Sequence, residues 1–239
     1  MMDKDTMTIL IDMDDTIEYL LVEWLDMLNE QFGTHVTEDD IHEYDLTVAF
    51  PCLSPDDVYA PLFTRELWER VKPVPGARYA IERLQNDGHD VYIVTSSNFQ
   101  TIYTKISSII YRYFPSIDSR HIILANKKQM IRGDVMIDDA PHNLIGGDYM
   151  KIMPTAAHNR DFDAAGNGII RADSWNEIYN IICDYRVLFD AVNHMRPDAF
   201  VNTMTLEEAC KRLDMTKQGF VRFIERLDSE LAFMDEELK

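Results

Sequence analysis

At 239 residues, 46% hydrophobic and 27% charged, the chain has globular composition and is long enough for one large domain or a domain with an appendage. Its formal net charge of −19 argues against non-specific nucleic-acid binding, although a metal ion and a few lysines can reverse the potential inside one cleft. No apolar run approaches the roughly 20 residues of a membrane span. The opening "MMDKDTM" lacks the apolar core of a signal peptide. The three cysteines, Cys52, Cys183 and Cys210, match no zinc or redox spacing, so reduced thiols in a cytoplasmic protein are expected.

In chain order, "MTILIDM" is a continuous apolar run with β-branched residues, the pattern of a buried parallel strand. A helix follows: Ile17, Leu20, Leu21, Trp24, Leu25 and Leu28 share one stripe, and Gly33 stands at the C-terminal cap position. Residues 34–72 hold short helix signals, with Thr37 as an N-cap and Ser54-Pro55 opening "SPDDVYAPLF". Aromatic residues are frequent there, and "KPVPGA" closes the segment. The next helix, "ARYAIERLQNDG", ends at Gly88 and leads into the strand "DVYIVTSS". A helix through "FQTIYTKISSIIYRYF" stops at Pro115. The strands "HIILA", "GDVMIDD", "KIMP" and "GIIRA" follow, with a short helix "APHNLIGG" among them. Ser174 is placed to cap the helix "SWNEIYNIICDYRVLF". Strands alternating with helices predict an α/β fold with a Rossmann-like parallel sheet and right-handed crossovers. The expected organisation is a core of residues 1–17 and 73–190, a small helical cap of residues 18–72, and a helical C-terminal extension of residues 191–239.

Ligands of parallel α/β sheets bind beyond the carboxyl ends of the strands. The polar residues at those ends are Asp12 with Asp14, then Thr95-Ser96-Ser97, then the pair Lys127-Lys128, then Asp138-Asp139. Four strand ends thus supply carboxylates, hydroxyls and an amine to one edge. Clustered carboxylates repel one another unless a cation sits among them, and all-oxygen donors select a hard ion, so Mg²⁺ is the expected metal. A hydroxyl, backbone N–H groups and a lysine hold phosphate oxygens. A carboxylate facing a bound phosphate can attack phosphorus, and a second one two residues on can protonate the leaving oxygen and then activate water. Read alone, Asp12 and Asp14 also suit a solvated turn, Thr95 and Ser96 a helix N-cap, Lys128 the surface, and Asp138 and Asp139 the N-cap of "APHNLIG".

The stretches "DMDDT", "TSS", a lysine and then "IDD" resemble, in that order, the haloacid dehalogenase (HAD) superfamily of phosphohydrolases. The resemblance implies Asp12 as nucleophile and Asp14 as acid/base, with Asp14 also offering its backbone carbonyl to the metal. It implies phosphate binding by Thr95, Ser96 and Lys128, and a magnesium site completed by Asp138 and Asp139. Asp15 stands where the superfamily often has Gly and is given no chemical role. The helical insertion closed by "PVPGA", with "IDMDDTI", "YIVTSS" and "GDVMIDDAPHNL", is similar to the 5'(3')-deoxyribonucleotidase family over residues 7–185. In that family's pattern the lysine lies ten residues before the first Asp of the last motif, which selects Lys128 over Lys127. Its members dephosphorylate nucleoside monophosphates, with the base in an aromatic and apolar pocket. Leu20, Trp24, Phe50, Phe63 and Trp68 are the pocket candidates, and Leu20 stands where the family can carry Phe.

The alternatives are a HAD phosphatase for another small phosphoester, such as a sugar phosphate, and a regulatory module. The latter draws on the cadence of "TLEEACKRLDMTKQGFVRFIERL", which is that of a helix-turn-helix. Acidic residues outnumber basic ones in that tail, so packing on the core or on a partner chain is expected rather than DNA binding. A homodimer is the candidate assembly.

Overall fold

The structure, a computed structural model, describes residues 6–195. The helix-turn-helix-like stretch lies outside the described residues. Six strands form one parallel sheet: β1 Thr8–Ile11, β2 Asp90–Thr95, β3 Ile122–Leu124, β4 Val135–Ile137, β5 Met150–Pro154 and β6 Ile170–Ala172, in the order β3-β2-β1-β4-β5-β6. The chain builds outward from β1 to β2 and β3, then crosses back to place β4 on the other side of β1. The reversal of strand order at β1 makes the carboxyl ends of β1 and β4 the place where a crevice opens.

The strands read as near-continuous apolar runs because both faces of the sheet are covered. Ile9 and Ile11 of β1, Val91 and Ile93 of β2, Val135 and Ile137 of β4 and Ile152 of β5 point into one layer. Leu10, Val94, Met136 and Met153 point into the other. The first layer is roofed by α4 (Ala77–Asn86), by the helical run that begins as α5 (Ile102–Lys105), passes through a π turn (Ile106–Ile110) and ends as α6 (Tyr111–Tyr113), and by α8 (Trp175–Met195). The second is closed by shorter pieces, including α7 (Pro141–Leu144) and Tyr149. Gly88, at φ 89° after α4, adopts the left-handed backbone that Gly takes at no steric cost. Ser174 Oγ accepts from the Glu177 N–H at 3.2 Å, capping α8 as its sequence predicts. That helix runs unbroken to Met195, past the boundary expected at residue 190.

Between β1 and β2 lies the helical insertion: α1 (Leu20–Phe32), α2 (Pro55–Tyr59) and α3 (Arg65–Arg70), joined by short 3₁₀ turns. It has a small core of its own, formed by Leu21, Leu25, Leu28, Ile41, Leu46, Phe50 and Val58. The outgoing and returning chains are stitched together by Tyr19 N–H to Lys72 O at 2.9 Å and Val74 N–H to Ile17 O at 2.8 Å. That stitch explains why α1 starts at Leu20 although the apolar stripe includes Ile17. The Ile17 carbonyl is committed to Val74, and its side chain is buried in the sheet-side core. Among the described residues, no helix is long and apolar enough to cross a membrane.

The loop that follows β1 is tied to α8. Trp175 is 2% exposed, and its indole N–H donates to the Thr16 carbonyl at 2.9 Å. Trp175→Phe keeps most of the packing but strands that carbonyl, so urea unfolding is expected to show a loss of about 1–3 kcal/mol. An unchanged midpoint would show that the bond contributes nothing.

Candidate active site

The sheet ladder carries the acidic residues into place. Asp12 N–H donates to Ile137 O at 2.8 Å and Asp138 N–H to Ile152 O at 3.1 Å, so each aspartate continues its strand by one bond. Asp12, Asp138 and Asp139 are all buried. One carboxylate oxygen from each lies within 4.8 Å of the others. Lys128, on the short turn Lys128–Met130 after β3, reaches this group. Its ammonium donates to Asp12 Oδ1 and, at 2.7 Å, to Asp138 Oδ2. Asp138 Oδ1 accepts from Ala140 N–H at 2.9 Å and from Asn143 Nδ2 at 3.1 Å. Asp139 Oδ1 accepts from Thr16 Oγ1 at 3.1 Å, and His158 Nε2 lies 2.9 Å from Asp139 Oδ2.

Burial and mutual charge shift Asp12, Asp138 and Lys128 from their ordinary ranges. Burial pushes the Asp12 carboxyl well up; Lys128 opposes this, and Asp138, Asp139 and Asp14 add to it. Burial also raises Asp138, again against Lys128. Burial works against the Lys128 charge, but Asp12 and Asp138 outweigh it and hold the ammonium above its ordinary range. Four carboxylates, Asp12, Asp14, Asp138 and Asp139, thus face two buried ammonium groups, Lys128 and Lys105. The surplus of negative charge on oxygen donors alone fits a hard divalent cation among Asp12, Asp138 and Asp139.

A cleft of about 470 Å³ opens above this group, the size of a small-molecule site. Asp12, Asp14, Ser96, Lys128 and Asp139 form its polar floor, and Leu20, Trp24, Phe63 and Trp68 from the insertion form part of its walls. The two tryptophans are held by their indole N–H groups, Trp24 to Val58 O at 2.7 Å and Trp68 to Leu62 O at 3.0 Å.

The residues singled out by sequence divide as follows. Lys128 is buried at the floor while Lys127 is exposed, which separates the two lysines by position. Ser96 lines the cleft and donates to Asn126 Oδ1 at 2.8 Å. Thr95 is fully buried beneath the floor, and its hydroxyl is engaged by Lys105. Asp139 lines the cleft, whereas Asp138 serves as the anchor for Lys128. Phe50 does not line the cleft. It is 2% exposed in the insertion's own core, because the turn after Leu46–Val48 points it at α1 and α2 rather than at the floor. Asp15 has a structural role: at φ 50° its Oδ1 accepts the Leu21 N–H at 2.9 Å and so caps α1.

Several residues escaped the sequence reading. Lys105 is 1% exposed and touches both Asp14 and Thr95. Its signal was a lysine on an otherwise apolar helical stripe with Ile102, Ile106 and Ile109. Glu18 is fully buried beside Asp14, and its carboxyl is pushed well up by burial and then by Asp14. Tyr44 stacks edge-on against His142 at 4.8 Å and His158 at 5.4 Å, joining the insertion to the core beside Asp139.

This combination of parallel sheet, strand-end carboxylates and overlying helical insertion defines the haloacid dehalogenase-like class. A haloacid dehalogenase-like hydrolase from Streptococcus pneumoniae superposes with a TM-score of 0.56 at 12% identity, covering 75% of this chain and all of that one. A HAD family hydrolase from Deinococcus radiodurans does so at 0.53 and 16% identity, covering 76% of this chain and 97% of that one. Both are alike in fold.

Residues 6–188 match the model of the family described as 5' nucleotidase, deoxy (pyrimidine), cytosolic type C protein, and the chain belongs to that family. It is therefore an enzyme of the hydrolase class. It is 30% identical to a 5'(3')-deoxyribonucleotidase of Bacillus subtilis over 172 residues, which is 71% of this chain and 95% of that protein. It is 28% identical to a 5'(3')-deoxyribonucleotidase of Clostridium acetobutylicum over 170 residues, 71% of this chain and 91% of that one.

The backbone at Asp15 offers a direct check on its capping role. Asp15→Ala loses the bond to Leu21 and keeps the left-handed strain, so a destabilisation of about 1–3 kcal/mol is expected. Asp15→Gly loses the same bond but relieves the strain, and its melting temperature should fall less. A larger fall for Gly than for Ala would contradict this account.

Proposed function

We propose that this enzyme is a Mg²⁺-dependent 5'-nucleotidase that removes phosphate from (deoxy)nucleoside monophosphates through an aspartyl-phosphate on Asp12. The observation that carries the reading is the buried Asp12–Lys128–Asp138–Asp139 group at the floor of an aromatic-walled cleft. The family's description and the names of the bacterial relatives support the nucleotide as substrate. In this reading residues 18–72 are the cap over a core of residues 1–17 and 73–190. The free Cys52 and Cys183 and the acidic composition agree with a cytoplasmic setting.

Asp12 is the nucleophile. Its Oδ1 is held by Lys128, which orients the carboxylate and keeps a positive charge beside the incoming phosphate. Attack on phosphorus forms the acyl-phosphate and breaks the bond to the nucleoside oxygen. Asp14, at the cleft floor two residues on, gives that oxygen its proton. Asp14 then takes a proton from water as the water attacks phosphorus, and Asp12 is regenerated with release of inorganic phosphate. Ser96 and Lys128 are the phosphate ligands that face the cleft. Mg²⁺, held by Asp12 and Asp139 with Asp138 in support, would neutralise phosphate charge and orient it for in-line attack. The base lies against Trp24, Phe63 and Trp68 beside Leu20, where stacking on an aromatic face stabilises any base.

A phosphate-release screen over ribo- and deoxynucleoside monophosphates and sugar phosphates tests this reading. Turnover of nucleotides is expected, silenced by EDTA and restored by Mg²⁺. Robust turnover of sugar phosphates with none of nucleotides would overturn the substrate assignment. In the same assay Asp12→Asn is expected to lower turnover by about 10³-fold or more while the fold persists, because the amide cannot form the acyl-phosphate. Near-normal turnover would exclude the covalent route.

A further inference from the structure

Lys105 has no part in the chemistry set out above, yet it is among the most completely buried side chains of the molecule. Its ammonium donates to Asp14 Oδ2 at 2.6 Å and to Thr95 Oγ1 at 2.8 Å. The Trp68 ring lies 5.4 Å from the nitrogen and presents its face to the charge. Burying an ammonium at this depth is costly unless each contact is made, so the arrangement is held rigidly.

The oxygen that Lys105 holds is the informative detail. The Asp14 side chain is 30% exposed and lines the cleft; its Oδ1 is buried without a hydrogen-bond partner, and Oδ2 is the oxygen that Lys105 holds. An Asp carboxylate rotates readily about its two side-chain bonds. The Lys105 contact, itself braced by Thr95 at the end of β2, fixes where that oxygen points. The same lysine contacts Trp68 of the insertion, so the direction of Asp14 is set jointly by core and insertion.

We propose that Lys105 is a positioning residue for proton transfer, aiming Asp14 Oδ2 at the leaving oxygen of the substrate. This rests on the acid/base role of Asp14 in the proposed function. It makes a selective demand. A nucleoside alcohol is a poor leaving group and needs its proton, whereas p-nitrophenolate leaves without one. Loss of Lys105 therefore falls on the first kind of substrate and spares the second.

The test compares kcat/KM, which reports steps up to departure of the alcohol, for a nucleoside monophosphate and for p-nitrophenyl phosphate. Lys105→Met is expected to lose about 10²-fold on the nucleotide and less than about 5-fold on the aryl ester, the span that general acid catalysis commonly contributes. Lys105→Arg is expected to regain about tenfold of the loss on the nucleotide. Equal losses on both substrates would overturn the proposal in favour of a purely structural or phosphate-binding lysine. If Lys105→Met does not fold, Lys105→Arg carries the comparison, and its deficit must still be larger on the nucleotide. Asp14→Asn is measured alongside. If Asp14→Asn shows the leaving-group selectivity and the Lys105 variants do not, positioning by Lys105 is wrong and the mechanism stands. If Asp14→Asn shows no selectivity, the acid/base reading itself fails and takes this proposal with it.

Discussion

The ammonium of Lys128 is what allows the floor of this site to exist. Asp12 and Asp138 are carried by adjacent parallel strands to neighbouring buried positions, where two carboxylates alone would repel strongly and one would hold a proton. Lys128 bridges them, at the full cost of burying its own charge. Removing one partner of such a buried group leaves an uncompensated charge, a loss of about 3–5 kcal/mol. Even with Lys105 beside Asp14, the ammonium groups are fewer than the carboxylates present. The remaining negative charge on oxygen donors is compatible with a divalent cation.

The same logic extends outward in layers. Asp138 is tied off by the Ala140 N–H and Asn143, which leaves Asp139 as the carboxylate turned to the cleft. Asp139 is braced by Thr16, whose carbonyl is in turn held by Trp175 of α8. Lys105 repeats the Lys128 solution a few residues away, pairing a buried ammonium with Asp14. The insertion enters this arrangement at several places: Asp15 caps α1, Tyr44 lies against His142 and His158, and Trp68 faces Lys105. The walls of the cleft are therefore in contact with the buried polar residues around its floor.

Strand and helix order, the strand-end acids, and the pairing of Gly33 and Ser174 with helix ends were legible in the sequence because each depends on local periodicity or capping chemistry. The insertion was visible as a change of pattern after the first strand. Where sequence reasoning erred, a long-range contact had overridden a local signal. Ile17 fits the α1 stripe but is drawn into the sheet core by pairing with the returning chain. Phe50 has the composition of a pocket residue but fills the insertion's own interior. Thr95 stands in the expected motif, yet its hydroxyl is turned beneath the floor to Lys105.

The sequence by itself determined the fold class and the order in which acidic, hydroxyl and lysine residues reach the carboxyl ends of the strands, because strand periodicity places such residues at one edge. Only the tertiary structure decided which lysine is buried, which of Asp138 and Asp139 faces the cleft, and that Lys105 belongs to the site at all. Those outcomes depend on desolvation and on charge pairing between residues 10 to 116 positions apart, which no local pattern encodes.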